Sequence, residues 1–265
     1  MINLLRALLV RDDPEYQAFV DKYQARSLGA KAFYLFMHLV PGLLLYLLIN
    51  VPPVYRFALH TTGLSDTMLQ GWFLLAIVFL WHLAVPLLSL RWIDKLTFRE
   101  SIAFLSLRQF DTKGFFVVMP IVFVVGTLCT LPYLKYLFPV VSDRIAAIPA
   151  LNPPVYSIFR DPTVFYGLFP AWFLAIGFVG NFLCEELYFR GYLMKKIGYL
   201  GPWAWVVNSL LFGLYHVWQA PTTWALIGPV FLFGLLMQWR KNLCPLIAFH
   251  FLVNIIWSAI LGALT

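Results

Sequence analysis

Residues 184–193 read CEELYFRGYL, with two adjacent glutamates, Glu185 and Glu186, and Arg190 inside a long apolar run. An ionised carboxylate in hydrocarbon costs several kcal/mol unless a cation or a wet cavity compensates it, so a chain keeps one there only where something does so. Of the 12 acidic residues, these two alone lie in such a run. The stretch therefore marks both a membrane interior and a functional position within it.

The composition around it agrees. Of 265 residues, 62% are hydrophobic and 12% charged, with a mean hydropathy of +0.80; soluble domains carry about twice that charge. An all-α polytopic transmembrane bundle is predicted. Apolar runs near the ~20 residues needed to cross a bilayer number about seven, or six to eight given soft boundaries. They fall at 32–51, 70–90, 115–138, 167–194, 203–219, 223–239 and 243–263. Pro41, Pro86, Pro120, Pro170 and Pro229 lie within them, which a helical bundle accommodates. The fifth and sixth runs are short and nearly touch at Gln219–Thr222, so one of them is a candidate re-entrant or tilted element.

The net charge of +7 follows the membrane rather than a basic face, which argues against a nucleic-acid partner. Alternate inter-span segments hold 15 and 4 Lys and Arg residues. By the positive-inside rule the N-terminus is cytoplasmic and, with seven spans, the C-terminus external. Residues 1–31 form the cytoplasmic N-terminal segment, opening with an amphipathic stretch too short for a signal peptide and lacking a cleavage site. The bundle occupies 32–265, and proline-rich 139–162 is its main external loop. Cys129, Cys184 and Cys244 have no metal-type spacing and read as packing residues.

On a helix, Glu186 and Arg190 are four residues apart and share a face, while Glu185 points about 100° away. Arg190 can hold Glu186 ionised as a strut, leaving Glu185 free to face a cavity as a general base. FGLYH pairs Phe212 with His216 and HFLVN pairs His250 with Asn254, each at the same four-residue spacing. At ~1.5 Å of rise per residue, Glu185 lies about 15 Å from Lys195, His216 about 20 Å from Trp203, and His250 and Asn254 roughly 14 and 20 Å beyond Lys241. A carboxylate, two imidazoles and an amide thus reach one depth. Singly, each reads as readily as packing: His38 and His82 also sit in apolar runs, Asn254 is typical interhelical glue, and Phe212 reads as packing.

Together the three constellations resemble a family. EELYFR matches EExxxR, FGLYH matches FxxxH, and HFLVN matches HxxxN of the CAAX prenyl protease 2 family, also called CPBP or Abi, of intramembrane endopeptidases. The resemblance covers 170–258 and implies a catalytic region at about 163–258. It implies that Glu185 activates water with His216, that His250 and Asn254 stabilise the oxyanion, and that Glu186, Arg190 and Phe212 support them. The implied substrate is a membrane-anchored protein or peptide, prenylated in better-characterised members, cleaved in a bilayer such as a bacterial cytoplasmic membrane. Where members often have a small Gly/Ser turn before HxxxN, this chain has Lys241, Asn242, Leu243 and Cys244.

Other readings stay open. No cofactor is expected, yet Glu185, His216 and His250 have the composition of a His2Glu zinc set, although the chain lacks HExxH. A proton-handling transporter site, or an inactive bacteriocin-immunity or scaffold protein on the same fold, would carry the same buried cluster.

Overall fold

Helices of unequal length, and no strand among the described residues, build the protein. The computed structural model describes residues 2–152, 167, 169–257, 259, 260 and 262. Among the described residues, three helices are long and apolar enough to cross a membrane: α6 (Asp66–Trp92), α8 (Gly114–Tyr136) and α10 (Ala171–Lys196). A fourth crossing arises if α3 (Leu28–Met37) and α4 (Val40–Asn50), bent by 49°, count as one span. The protein is an integral membrane protein. The runs expected at 203–219, 223–239 and 243–263 hold shorter helices: α11 (Ala204–Tyr215), α12 (Ile227–Arg240) and α13 (Leu243–Trp257). At ~1.5 Å per residue, 12 and 14 residues fall short of a ~30 Å hydrocarbon core. Between them the chain turns through a 3-10 segment, His216–Gln219, and one helical turn, Ala220–Thr223.

Proline placement explains several breaks. Pro41 sits in the first turn of α4, where its missing N–H is harmless, and the bend lies just before it. Pro86 and Pro120 follow π-helical segments, Ile77–Ala84 and Gly114–Val118. A widened turn relieves the clash of each ring with the carbonyl four residues earlier. Pro139 corrects a prediction: instead of opening a loop it occupies the first turn of a helix, Phe138–Ala146, a favoured proline position. Residues 153–162 of the expected external loop lie outside the described residues, as do the chain end at Thr265 and residues 163–166, 168 and 258 of the expected catalytic region.

Helix α10 is central, packed against α6, α11 and α13. Helices α11 and α12 lie side by side because Gly234 brings its backbone onto Trp205 and Ser209, where any Cβ would collide. The predicted membrane-surface charges Lys195, Lys196 and Arg240 turn out to be buried. They are covered by α1 (Ile2–Leu9) and α2 (Pro14–Gln24), the latter capped where Asp13 accepts the Tyr16 N–H at 2.9 Å. Lys196 pairs with Asp94, which also accepts the Tyr23 hydroxyl at 2.7 Å, and its Nζ lies 4.0 Å from the Tyr23 ring centre. Lys195 Nζ donates to Ser106 Oγ at 2.8 Å.

Arg240 donates Nε and Nη2 to the two Asp111 oxygens at 2.8 and 2.7 Å and reaches the Leu9 carbonyl at 3.2 Å. Burial alone would raise the Asp111 pKa, but the bonds from Arg240 and the Gly114 N–H hold it below the ordinary carboxyl range. A depressed carboxyl pKa stabilises the fold above the unfolded value of about 3.9, and that contribution is lost as pH falls through the lower folded value. The departure before HxxxN also has a local account. Lys241 adopts the left-handed conformation, φ 50° and ψ 33°, where glycine is favoured, while Asn242 caps α13 by accepting the Cys244 N–H at 3.1 Å.

Left-handed backbone costs a non-glycine residue roughly 1–2 kcal/mol, partly offset by glycine's greater freedom in the unfolded chain. Lys241→Gly is therefore expected to stabilise the fold by up to about 1 kcal/mol, read as a higher thermal midpoint in detergent micelles. A lowered midpoint would show that the Lys241 side chain contributes more than its backbone costs.

Candidate active site in the bundle

The four residues singled out as catalytic line one cavity of about 770 Å³: Glu185 from α10, His216 at the end of α11, and His250 and Asn254 from α13. Phe212 and Phe233 line it beside them, with largely apolar residues of α6 and α10. The predicted division between the glutamates holds in space. Glu185 faces this cavity, whereas Glu186 is fully buried and receives Arg190 Nη1 on Oε1 at 3.1 Å.

Glu186 does more than the spacing foretold. The same Oε1 accepts a hydrogen bond from His250 Nδ1 at 2.9 Å. A carboxylate can only accept, so Nδ1 carries the proton and Nε2 is the nitrogen left for the cavity. His216 is fixed in the same sense: its Nδ1 donates to the Phe212 carbonyl at 2.8 Å. Its Nε2 then lies 3.9 Å from Glu185 Oε1. Phe212, read as packing and as a supporting residue, lies under Arg190, whose guanidinium carbon is 3.9 Å from the ring centre, with Phe233 at 5.2 Å. These rings and one carboxylate hold the cation in a dry interior.

Two π-helical segments frame the site, Leu187–Leu193 directly after Glu186 and Val253–Trp257 around Asn254. Such widened turns recur at functional positions, and they are invisible to a pattern read at 3.6 residues per turn. Two buried groups escaped the motifs. Tyr215 donates its hydroxyl to Glu185 Oε1 at 3.3 Å. His82 is enclosed by the rings of Tyr188, Phe189 and Tyr215 at 5.2, 5.6 and 5.4 Å. Tyr215 carried a signal, standing beside the motif histidine; His82 carried none beyond an apolar context. His38 is a packing histidine, donating from Nδ1 to the Tyr34 carbonyl at 2.8 Å and accepting from Asn208 Nδ2 at 3.1 Å.

Among the described residues, no three His, Cys, Asp or Glu side chains converge as ligands for a metal ion.

Fold and cavity together define a membrane-embedded helical protein with a buried carboxylate and histidine site. Residues 167–256 match the family model described as type II CAAX prenyl endopeptidase Rce1-like. The match covers about a third of the chain, supports a CAAX-type intramembrane protease in general, and contains all three motifs. Neither a curated protein nor a solved structure matches the chain.

The glutamates should separate in a stability assay. Glu186→Gln removes the charge facing Arg190 and is expected to cost about 3–5 kcal/mol, the usual penalty for stranding a buried ion. Glu185→Gln, which strands no cation, is expected to leave the thermal midpoint within about 1 kcal/mol of wild type. Equal losses at the two positions would contradict the assignment of the strut to Glu186 alone.

Proposed function

We propose that the protein is an intramembrane endopeptidase that hydrolyses a peptide bond of a membrane-anchored, CAAX-type protein or peptide with water activated by Glu185. The observation that carries this reading is the pairing of Glu185 Oε1 with His216 Nε2 at 3.9 Å. That is too long for a direct hydrogen bond, yet one water can reach both groups at about 2.8 Å. Both present lone pairs, because His216 Nδ1 is committed to the Phe212 carbonyl. Water between them donates one hydrogen to each and turns its own lone pairs outward, toward a carbonyl carbon in the cavity.

The water oxygen bonds to that carbon as one water proton passes to Glu185. The carbonyl oxygen becomes an oxyanion, stabilised by Asn254 and by His250 Nε2 when the ring is doubly protonated. Glu186, already bonded to His250 Nδ1 at 2.9 Å, balances that imidazolium, and each oxyanion donor contributes about 3–4 kcal/mol in comparable sites. The carbon–nitrogen bond then breaks and the proton on Glu185 passes to the leaving amine. The catalytic region in this reading is 163–258, within a bundle that follows the N-terminal segment 1–31.

A quenched fluorescent peptide carrying a farnesylated CAAX sequence, incubated with purified protein in liposomes, tests the chemistry. Glu185→Gln is expected to abolish cleavage without unfolding the protein, and exhaustive chelation of the wild type to leave turnover intact. Near-normal turnover by Glu185→Gln would remove the glutamate from its role. Activity lost on chelation and restored by stoichiometric zinc would replace this mechanism with a metal one.

We further infer from the 15-to-4 charge asymmetry that the N-terminus is cytoplasmic. Cysteines placed at Lys22 and Lys113 should react from the cytoplasmic side only, and one at Asp143 from the opposite side. Labelling of positions 22 and 143 from one side would reverse this orientation.

A further inference from the structure

Tyr215 is a buried polar group at the site that neither the three motifs nor the reaction above uses. Its hydroxyl reaches the carboxylate from behind, for Tyr215 is 1% exposed while Glu185 lines the cavity. The bond falls on Oε1, the same oxygen that faces His216 Nε2. A carboxylate oxygen has a lone pair for each of two donors, so the tyrosine and a water beside His216 can both be served.

The ring that carries the hydroxyl is held from several sides. The Tyr215 ring packs edge-on against His216 at 4.4 Å and tilts against Phe189 at 5.0 Å, with His82 at 5.4 Å. Its backbone is pinned as well: Gly42 of α4 lies so close to the Tyr215 carbonyl that any Cβ would collide with it. The α11 helix ends here, and the chain enters the 3-10 turn that carries His216. One rigid unit thus supplies both the histidine and the donor that reach Glu185.

Resting on the glutamate mechanism proposed above, we propose that Tyr215 is a positioning residue for Glu185, fixing Oε1 toward His216. A glutamate side chain has three rotatable bonds, and a lone carboxylate in a cavity this large can turn its reactive oxygen away. A single neutral donor restrains it without bringing a cation into contact, which would weaken the base further. A buried tyrosine that merely satisfies its own hydroxyl would leave the titration of its acceptor unimportant to turnover, and this separates the two roles.

Other ionisable groups face Glu185 or Tyr215: Glu186 and Arg190 from α10, His216 from the 3-10 turn, His250 from α13, and His82 from α6. Cys184 and Tyr188 flank Glu185 on its own helix. Substitutions that keep all of these unchanged are therefore the informative ones. Tyr215→Phe removes only the hydroxyl, and replacement of Tyr215 by 3-fluorotyrosine keeps it and makes it a stronger donor.

Cleavage of the farnesylated CAAX peptide by full-length protein in liposomes is followed across pH, with Glu185→Gln as reference. Tyr215→Phe is expected to move the acidic limb of kcat up by about one pH unit, the scale of a hydrogen bond to a charged group. It should also lower plateau kcat roughly 3- to 10-fold with KM unchanged, as expected when orientation of the base rather than binding is lost. The fluorinated tyrosine should move the limb the other way. Infrared titration of the Glu185 carboxyl band, identified by its disappearance in Glu185→Gln, reads the same two shifts without any substrate. An inactive Glu185→Gln with both Tyr215 variants unmoved in pH profile and infrared midpoint would overturn this inference alone. Turnover surviving in Glu185→Gln would overturn the base and this inference together.

Discussion

A single carboxylate oxygen, Glu186 Oε1, is shared by a guanidinium and an imidazole in a dry interior, and the geometry of the site depends on it. Arg190 reaches it along its own helix and His250 reaches it from α13. An arginine buried without a counter-charge would be prohibitive, and aromatic faces offset only part of the cost. Once Arg190 is fixed against Phe212 and Phe233, α10, α11 and α12 are held to one another by a charge and not by greasy contact alone. The bond to His250 brings in α13 and dictates which ring nitrogen faces the cavity. Glu185, one residue earlier, is displaced around the helix and is free to face a different neighbour.

How much of this could be read from the chain depends on the range of each interaction. The Glu186–Arg190 pair and the different aim of Glu185 follow from helical periodicity, and both are present. The gathering of Glu185, His216, His250 and Asn254 round one cavity was legible because each lies at a comparable distance along an apolar run. The Glu186–His250 bond joins residues 64 apart, and no local pattern encodes a partner across that separation. Phe212 looked like packing because an aromatic at helical spacing usually is; only the position of Arg190 reveals it as a cation's seat. The widened turns after Glu186 and around Asn254 were hidden because a pattern read at 3.6 residues per turn presumes the geometry it seeks.

Helix number and length were the least legible features of the fold. Hydropathy measures how apolar a run is, not how straight, and α11 and α12 are apolar yet stop short of a bilayer's thickness. The chain breaks between them because His216 leaves the helix for a 3-10 turn. The count of basic residues was similarly blind to burial. Lys195, Lys196 and Arg240 mark one end of the bundle, as a charge count requires, but they are roofed by α1 and α2 and paired or capped by Asp94, Ser106 and Asp111. Charge composition located the surface; the N-terminal helices then converted it into interior.

The close approach of Gly42 to the Tyr215 carbonyl bears on what counts as the functional unit. The family-matched segment begins at residue 167, yet the turn carrying His216 leans on a glycine well over a hundred residues earlier, and α10 leans on α6. Excised from the chain, that segment would keep every motif and lose the walls that aim them. The N-terminal helices are thus a mould for the matched segment.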